Sequence, residues 1–180
     1  MNQALMIVDL QRDFCPGGAL AAPRGNEVVP VINRLMDRFQ WIVASKDWHP
    51  AQTAHFDKWP PHCVRGTAGA AFHPDLDEQK ISILALKGTG ESDDGYSAFE
   101  ATNMDLIHWL RKNSVDALYI TGIATEYCVK ATALDALKAG FGVTVITDAV
   151  ASVDVHTGDH EKALQEMAAA GVKLMASSEL

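Results

Sequence analysis

Five side chains with catalytic potential follow four apolar, strand-like segments of the sequence. They are Asp9 after the first segment, Asp47 and His49 after the second, Lys87 after the third and Cys128 shortly after the fourth. A thiol can attack a carbonyl carbon, and a carboxylate can take up and return the proton of that thiol. A lysine ammonium stabilises the negative charge of both the thiolate and the carboxylate. The set predicts nucleophilic catalysis by Cys128, with Asp9 as the acid–base group and Lys87 as a fixed cation.

The residues around Cys128 have the pattern of a strand, a tight turn and the first turn of a helix. A helix N-terminus and a nearby lysine lower the pKa of a thiol, and free backbone N–H groups there stabilise an oxyanion. The alternative is a small buried hydrophobe, the commoner role of a lone cysteine. A papain-like Cys–His pair is not indicated, because the histidines cluster elsewhere in the sequence.

A second group of candidate residues occupies a long polar loop, residues 47 to 78. Asp47 and His49 stand two residues apart, and His55 and His62 follow in the same loop. Mixed carboxylate and imidazole ligands suit Zn²⁺, Fe²⁺ or Mn²⁺. The alternative is a polar loop in which these three of the seven histidines happen to fall without binding anything. We therefore predict one divalent metal ion, of a kind that the spacing does not select.

Four aromatic residues fall in loops between these candidates: Phe14, Trp48, Trp59 and Tyr96. Such residues are usually part of a core, but this placement is more typical of the walls around a flat apolar ligand. The four remaining histidines are expected to be structural (His73 and His108) or on the surface (His156 and His160).

Apolar, strand-like segments alternate with segments of helical period along the whole chain. We predict strands over residues 4–8, 41–45, 81–86, 117–123, 142–147 and 172–175, and helices over 26–39 (with Asn26 as the N-cap), 105–112, 126–139 and 159–170. This order indicates a three-layer α/β/α fold, a doubly wound and mostly parallel six-stranded sheet, in a single domain of residues 1–180. Ligands bind at the carboxyl ends of the strands in such sheets, where the candidate residues lie.

Composition excludes several classes of function. The 180 residues carry a formal net charge of −8 with no basic cluster, so a nucleic-acid partner is not expected. The apolar runs fall short of the roughly 18 residues that cross a membrane. Three cysteines are too few for a disulfide framework, and the N-terminus lacks a signal-peptide pattern. We therefore expect a reduced, cytoplasmic protein, either monomer or homo-oligomer, whose partner is a small molecule.

Five motifs occur in an order that is specific in combination. They are residues 8–14 (VDLQRDF), 46–50 (KDWHP), 59–64 (WPPHCV), 87–88 with 96–99 (KG and YSAF), and 122–129 (GIATEYCV). Together they closely resemble the nicotinamidase/pyrazinamidase branch of the isochorismatase-like cysteine hydrolases. The resemblance extends from about residue 4 to residue 176 and implies the Rossmann-like isochorismatase fold.

The resemblance also implies roles for individual residues. Asp9, Lys87 and Cys128 match the catalytic triad of that family. The matching metal ligands are Asp47, His49 and His62, with His55 in the place of a fourth ligand that only some members have. The matching walls around a pyridine or pyrazine ring are Phe14, Trp59 and Tyr96, with Leu20 a weaker match. A cis bond between Ile123 and Ala124 would aim the N–H groups of Ala124 and Cys128 at the oxyanion.

The implied reaction is hydrolysis of nicotinamide, and of pyrazinamide, to the acid and ammonia in NAD salvage, with the metal binding the ring nitrogen. One alternative on the same scaffold is hydrolysis of another small amide or carbamoyl compound, which the three-histidine loop argues against. Another is a non-catalytic doubly wound binding or signalling domain. Such a domain would need neither Cys128 nor the histidines, and no G-x-G-x-x-G motif follows the first strand.

Overall fold

The computed structural model describes residues 2–180, so position 1 of the predicted domain lies outside the described residues. Its strands are β1 (Asn2–Val8), β2 (Trp41–Asp47), β3 (Ile83–Lys87), β4 (Val115–Ile123), β5 (Gly142–Ala151) and β6 (Lys173–Met175). Its α-helices are α1 (Gly25–Met36), α2 (Leu106–Lys112), α3 (Lys130–Lys138) and α4 (Asp159–Ala170). Short 3₁₀ turns punctuate the connecting loops.

The six strands form one sheet in the order β3-β2-β1-β4-β5-β6, and every neighbouring pair is parallel. This confirms the predicted six-stranded parallel sheet. β1 lies in the middle, and residues 4–8 of this strand are completely buried. Leu5 and Ile7 belong to the hydrophobic cluster on one face, whereas Met6 and Val8 belong to the cluster on the other. A strand buried on both faces explains its continuous apolar run.

Helices cover both faces of the sheet, as a doubly wound fold requires. The apolar stripe of α1, which includes Val28, Ile32 and Leu35, packs into the first cluster. α2, α3 and α4 contribute Leu110, Ala133 and Met167 among others to the second cluster. The sheet is therefore the middle layer of three, with a separate core on each side.

Several predicted element boundaries differ from the structure. β2 continues through Asp47, because that residue pairs in register with Lys87 of β3. The predicted N-cap of α1 is wrong: Arg24 occupies the position, and the Asn26 side-chain oxygen instead accepts a hydrogen bond from His73 Nε2 at 3.1 Å. The predicted helix over 126–139 is in fact a π-helical turn, Thr125–Val129, followed by α3.

No helix within residues 2–180 combines the length and the apolar character that crossing a membrane demands. The carboxyl ends of β1 to β4 lie side by side in the sheet order, and each of these strands ends at or next to a candidate residue or the turn that carries one. Sequence positions that are far apart therefore meet at one edge.

Close packing of β4 against β1 at this edge requires a glycine. Gly122 pairs in register with Val8 and has a φ of 110°. A Cβ atom at this position would lie 1.9 Å from the Val8 carbonyl oxygen. Backbone atoms cannot rotate away as a side chain does, so any larger residue must separate the two strands.

We expect Gly122→Ala to lower the free energy of unfolding by about 3 kcal/mol, because it combines a left-handed backbone with overpacking. Gly142→Ala is the matched control on β5, since its added Cβ would meet nothing closer than 3.4 Å. Urea denaturation of both variants checks the expectation. Equal losses of unfolding free energy in the two variants would show that the close contact with Val8 is not the cause of the destabilisation.

Candidate active site

Lys87 is the central residue of a buried cluster of charged groups. Its side chain is completely buried at the end of β3, with Nζ 2.7 Å from Asp9 Oδ2 and 2.5 Å from Asp47 Oδ1. Nζ also donates to the Gly95 carbonyl oxygen at 2.9 Å and lies 3.4 Å from Cys128 Sγ. Burial opposes the charge, but the Asp47 and Asp9 carboxylates outweigh it and raise the pKa of Lys87 well above its usual value. The two carboxylates therefore favour the ammonium form of Lys87.

Asp9 follows β1 directly and has a left-handed backbone, with a φ of 47°. Its Oδ1 accepts a hydrogen bond from Ser45 Oγ at 2.7 Å. Burial raises the pKa of Asp9, and the neighbouring Lys87 ammonium partly offsets the effect. One carboxylate oxygen of Asp9 lies within 4.8 Å of the Cys128 sulfur. A carboxyl group of raised pKa within this reach is suited to exchanging a proton with the thiol.

Cys128 lies within the π-helical turn, two residues before α3 begins, and borders the central cavity. Burial raises the pKa of the Cys128 thiol well above its usual value, against the opposing charge of Lys87. This direction is opposite to the sequence-based prediction of a lowered pKa. The physical reason is the water-poor surroundings, to which the Asp9 and Asp47 carboxylates add. The resting thiol therefore needs a base to become a nucleophile, and Asp9 is the adjacent carboxylate.

The peptide bond between Ile123 and Ala124 is cis, as the family resemblance implies. Ala124 and Cys128 border the same cavity. Their backbone N–H groups stay the predicted donors to an oxyanion.

Three histidine rings converge beside this cluster. Nδ1 of His49 lies 2.8 Å from the Gly88 carbonyl oxygen, and Nδ1 of His62 lies 2.7 Å from the Pro60 carbonyl oxygen. A carbonyl oxygen only accepts, so each Nδ1 carries the proton and each Nε2 has a free lone pair. His55 has its proton on Nδ1 in the same way, because that nitrogen hydrogen-bonds to a carboxylate oxygen, which is described below. One ligand nitrogen from each ring lies within 4.8 Å of the other two.

Asp47 joins the histidines to the charged cluster. Its Oδ1 faces Lys87, whereas Oδ2 lies 3.3 Å from His49 Nε2 and 3.7 Å from His62 Nε2. The buried His49 Nε2 has no hydrogen-bond partner among residues 2–180. Buried polar atoms are rarely left unpaired, so this atom indicates a missing ligand. Three imidazoles and a carboxylate fit a divalent transition metal.

The cavity above Cys128 is lined by all four predicted wall residues, namely Phe14, Leu20, Trp59 and Tyr96. Trp59 Nε1 donates a hydrogen bond to the Tyr96 hydroxyl oxygen at 3.2 Å, which fixes the two rings relative to each other. The prediction for Trp48 is wrong, because this ring does not line the cavity and packs against the first hydrophobic cluster instead. Tyr127 and Val153 also line the cavity and were not predicted.

The isochorismatase domain matches residues 3–179 of the chain. The chain belongs to the isochorismatase family. It is 41% identical to a nicotinamidase of Escherichia coli strain K12, over 96% of this chain and 93% of that protein. Among solved structures it is similar to a pyrazinamidase of Pyrococcus horikoshii in complex with zinc (43% identity, TM-score 0.88, 98% and 99% of the chains covered). It is also similar to PnC1 from L. infantum in complex with nicotinate (36% identity, TM-score 0.92, 98% and 93% covered).

These matches confirm the family, the fold and the class of enzyme that the sequence motifs imply: an amidohydrolase of the nicotinamidase type. They favour this enzyme over the non-catalytic binding domain considered from the sequence. The isochorismatase-family fold also accounts for the site, since its residues come from the carboxyl ends of four neighbouring strands.

Sequence reasoning missed Glu126, a buried carboxylate two residues before Cys128 in this isochorismatase-family chain. Its Oε1 accepts from the backbone N–H groups of Val153 and Asp154, both at 2.9 Å. It thereby ties the turn that carries Cys128 to the loop that places Val153 in the cavity wall. A glutamate at a predicted helix start looked like an ordinary helix residue. Burial raises the pKa of Glu126 above its usual value.

We expect Glu126→Gln to stabilise the protein increasingly as the pH rises from about 4 towards 7. A raised carboxyl pKa means that the folded state binds the proton more tightly than the unfolded state. Stability therefore falls as the pH rises from the ordinary value of 4.5 through the raised value, and glutamine removes this loss while keeping an acceptor oxygen. Urea denaturation at several pH values measures the difference between variant and wild type.

Glu166→Gln is the control, because Lys130 lowers the pKa of this exposed carboxylate. The difference in the free energy of unfolding between Glu166→Gln and wild type should therefore change with pH in the opposite direction. A pH-independent difference for Glu126→Gln would contradict the expectation.

Proposed function

We propose that this protein hydrolyses nicotinamide, and also pyrazinamide, to the carboxylic acid and ammonia, a reaction that serves NAD salvage. The observation that carries the proposal is the contact of Lys87 with Asp9, Asp47 and Cys128 beneath an aromatic-walled cavity. The 41% identity to a nicotinamidase over almost the whole chain supports the choice of substrate.

In the first step, Cys128 Sγ attacks the carboxamide carbon while Asp9 takes the thiol proton. A carbon–sulfur bond forms, and the carbonyl π electrons move onto oxygen. The N–H groups of Ala124 and Cys128 are the proposed donors to this oxyanion. Lys87 lies 3.4 Å from the sulfur and stabilises negative charge as it develops there.

In the second step, the oxyanion collapses and the carbon–nitrogen bond breaks. Asp9 returns its proton to the departing nitrogen, so ammonia leaves and a thioester to Cys128 remains. Water then attacks the thioester carbon, with Asp9 taking a proton from it. The carbon–sulfur bond breaks, the acid leaves, and the proton returns to the Cys128 sulfur.

Four residues would hold one divalent metal ion: Asp47, His49, His55 and His62. Zinc is the first choice, because the similar P. horikoshii pyrazinamidase is in complex with zinc. A metal bound there supplies a Lewis-acid contact for the ring nitrogen of the substrate. Trp59, Tyr96 and Phe14 confine the flat ring, which keeps the carboxamide over Cys128.

We further propose that the protein works in the cytoplasm. Cys15, Cys63 and Cys128 are all free thiols, which is typical of proteins in a reducing compartment.

We expect Cys128→Ala to lower the rate of ammonia release from nicotinamide by at least about 1,000-fold, because no nucleophile remains. Cys15→Ala is the matched control: this buried thiol does not line the cavity above Cys128, and kcat should stay close to the wild-type value. A coupled ammonia assay measures both variants. Substantial turnover by the Cys128 variant would reject the mechanism.

We expect His49→Ala to raise KM for nicotinamide about 10-fold or more with a smaller change in kcat, because a ligand to the ring-anchoring metal is lost. Steady-state kinetics together with metal analysis of the purified protein check this. His108→Ala on the exposed surface of α2 should change neither quantity. An unchanged KM in the His49 variant would refute the anchoring role.

A further inference from the structure

Asp93 is a carboxylate that neither the reaction nor the sequence motifs require. It lies in the loop after β3, and its side chain is 18% exposed. Its Oδ1 is 2.8 Å from His55 Nδ1 and accepts a hydrogen bond from the Tyr96 hydroxyl at 2.9 Å. Its Oδ2 forms an ion pair with Lys58, which is mostly exposed. One carboxylate thus connects three side chains from two separate loops.

The contact with Asp93 determines which nitrogen of the His55 ring carries the proton. With Asp93 as acceptor, the proton sits on Nδ1 and the Nε2 lone pair is free to bind a metal. The ring is stacked on His49, with centroids 4.5 Å apart and an interplanar angle of 23°. His49 and His62 are held by neutral backbone carbonyl groups instead. Within residues 2–180, Asp93 is the side-chain carboxylate that orients a ring of this cluster through Nδ1.

A carboxylate behind a ligating imidazole fixes its orientation and raises its basicity, and losing it typically costs 10–100-fold in metal affinity. Asp93 has the position and charge for this effect. Within residues 2–180, none of the other three candidate ligands forms a hydrogen bond or an ion pair with Asp93, so its direct effect falls on His55.

The same oxygen also reaches the walls of the cavity. Tyr96 donates to Asp93 and accepts from Trp59 Nε1, so a continuous chain runs from Trp59 through Tyr96 to Asp93. His55 joins the chain at its end. The orientation of both wall rings and of one candidate metal ligand therefore depends on a single acceptor.

We propose that Asp93 is a positioning residue that locks His55 as the fourth ligand of the metal site and couples metal binding to the ring walls formed by Trp59 and Tyr96. This inference rests on the metal site and ring pocket of the proposed function. It adds a residue that sets metal affinity and ring placement together without touching the substrate.

The test compares Asp93→Ala and the isosteric Asp93→Asn with Asp94→Asn in the full-length protein. Asp94 is exposed in the same loop, so Asp94→Asn matches the charge change without the contacts. The dissociation constant for Zn²⁺ is measured by competition with a chromophoric chelator. We expect it to rise 10–100-fold for Asp93→Ala, less for Asp93→Asn, and not at all for Asp94→Asn.

The visible spectrum of Co²⁺-loaded protein gives a second readout, because it reports the number of ligands. It should change in Asp93→Ala, and KM for nicotinamide should rise more than kcat falls. Circular dichroism establishes that each variant is folded, and Asp93→Asn carries the test should the alanine variant not fold. An unchanged Zn²⁺ constant in folded Asp93 variants, or an equal loss in Asp94→Asn, overturns the proposal. Wild-type protein that binds Zn²⁺ but releases no ammonia would overturn the proposed reaction alone.

Discussion

The active site depends on one buried ammonium group. Lys87 is removed completely from water, and an isolated charge in such a place is strongly unfavourable unless it is paired. The Asp9 and Asp47 carboxylates supply that pairing, and each comes from the end of a different strand. β1, β2 and β3 must therefore sit in register for the charges to balance. The position of the nucleophile beside the same ammonium follows from this electrostatic requirement.

Asp47 makes the reacting groups and the histidine cluster one continuous site. One of its oxygens neutralises Lys87, and the other faces the free nitrogens of His49 and His62. Two ring orientations are fixed by backbone carbonyl groups, so they are properties of the loop conformation. The fold thus prepares the donors before any ligand arrives, which lowers the cost of organising the site.

Much of this arrangement could be predicted from the sequence. The alternation of segments gave the parallel sheet, and the placement of Asp9, Asp47, Lys87 and Cys128 after strands indicated that they meet. The end of β2 could not be predicted, because Asp47 pairs within the sheet although aspartate usually favours a loop. Asp93 was missed because it stands in a polar run (ESDDG) without periodicity, where only the folded loop shows which carboxylate faces inward.

The position of β3 at the border of the sheet has a consequence for how the enzyme loses activity. An edge strand has a neighbour on one side only, and β3 is short. Proteins open locally at such places at a lower free energy than global unfolding. Detachment of β3 alone would withdraw the ammonium from the thiol and both carboxylates while the central strands stayed intact. Inactivation by heat or denaturant would then precede the loss of secondary structure. The fraction of active molecules would be set by the free energy of detaching β3 from the sheet.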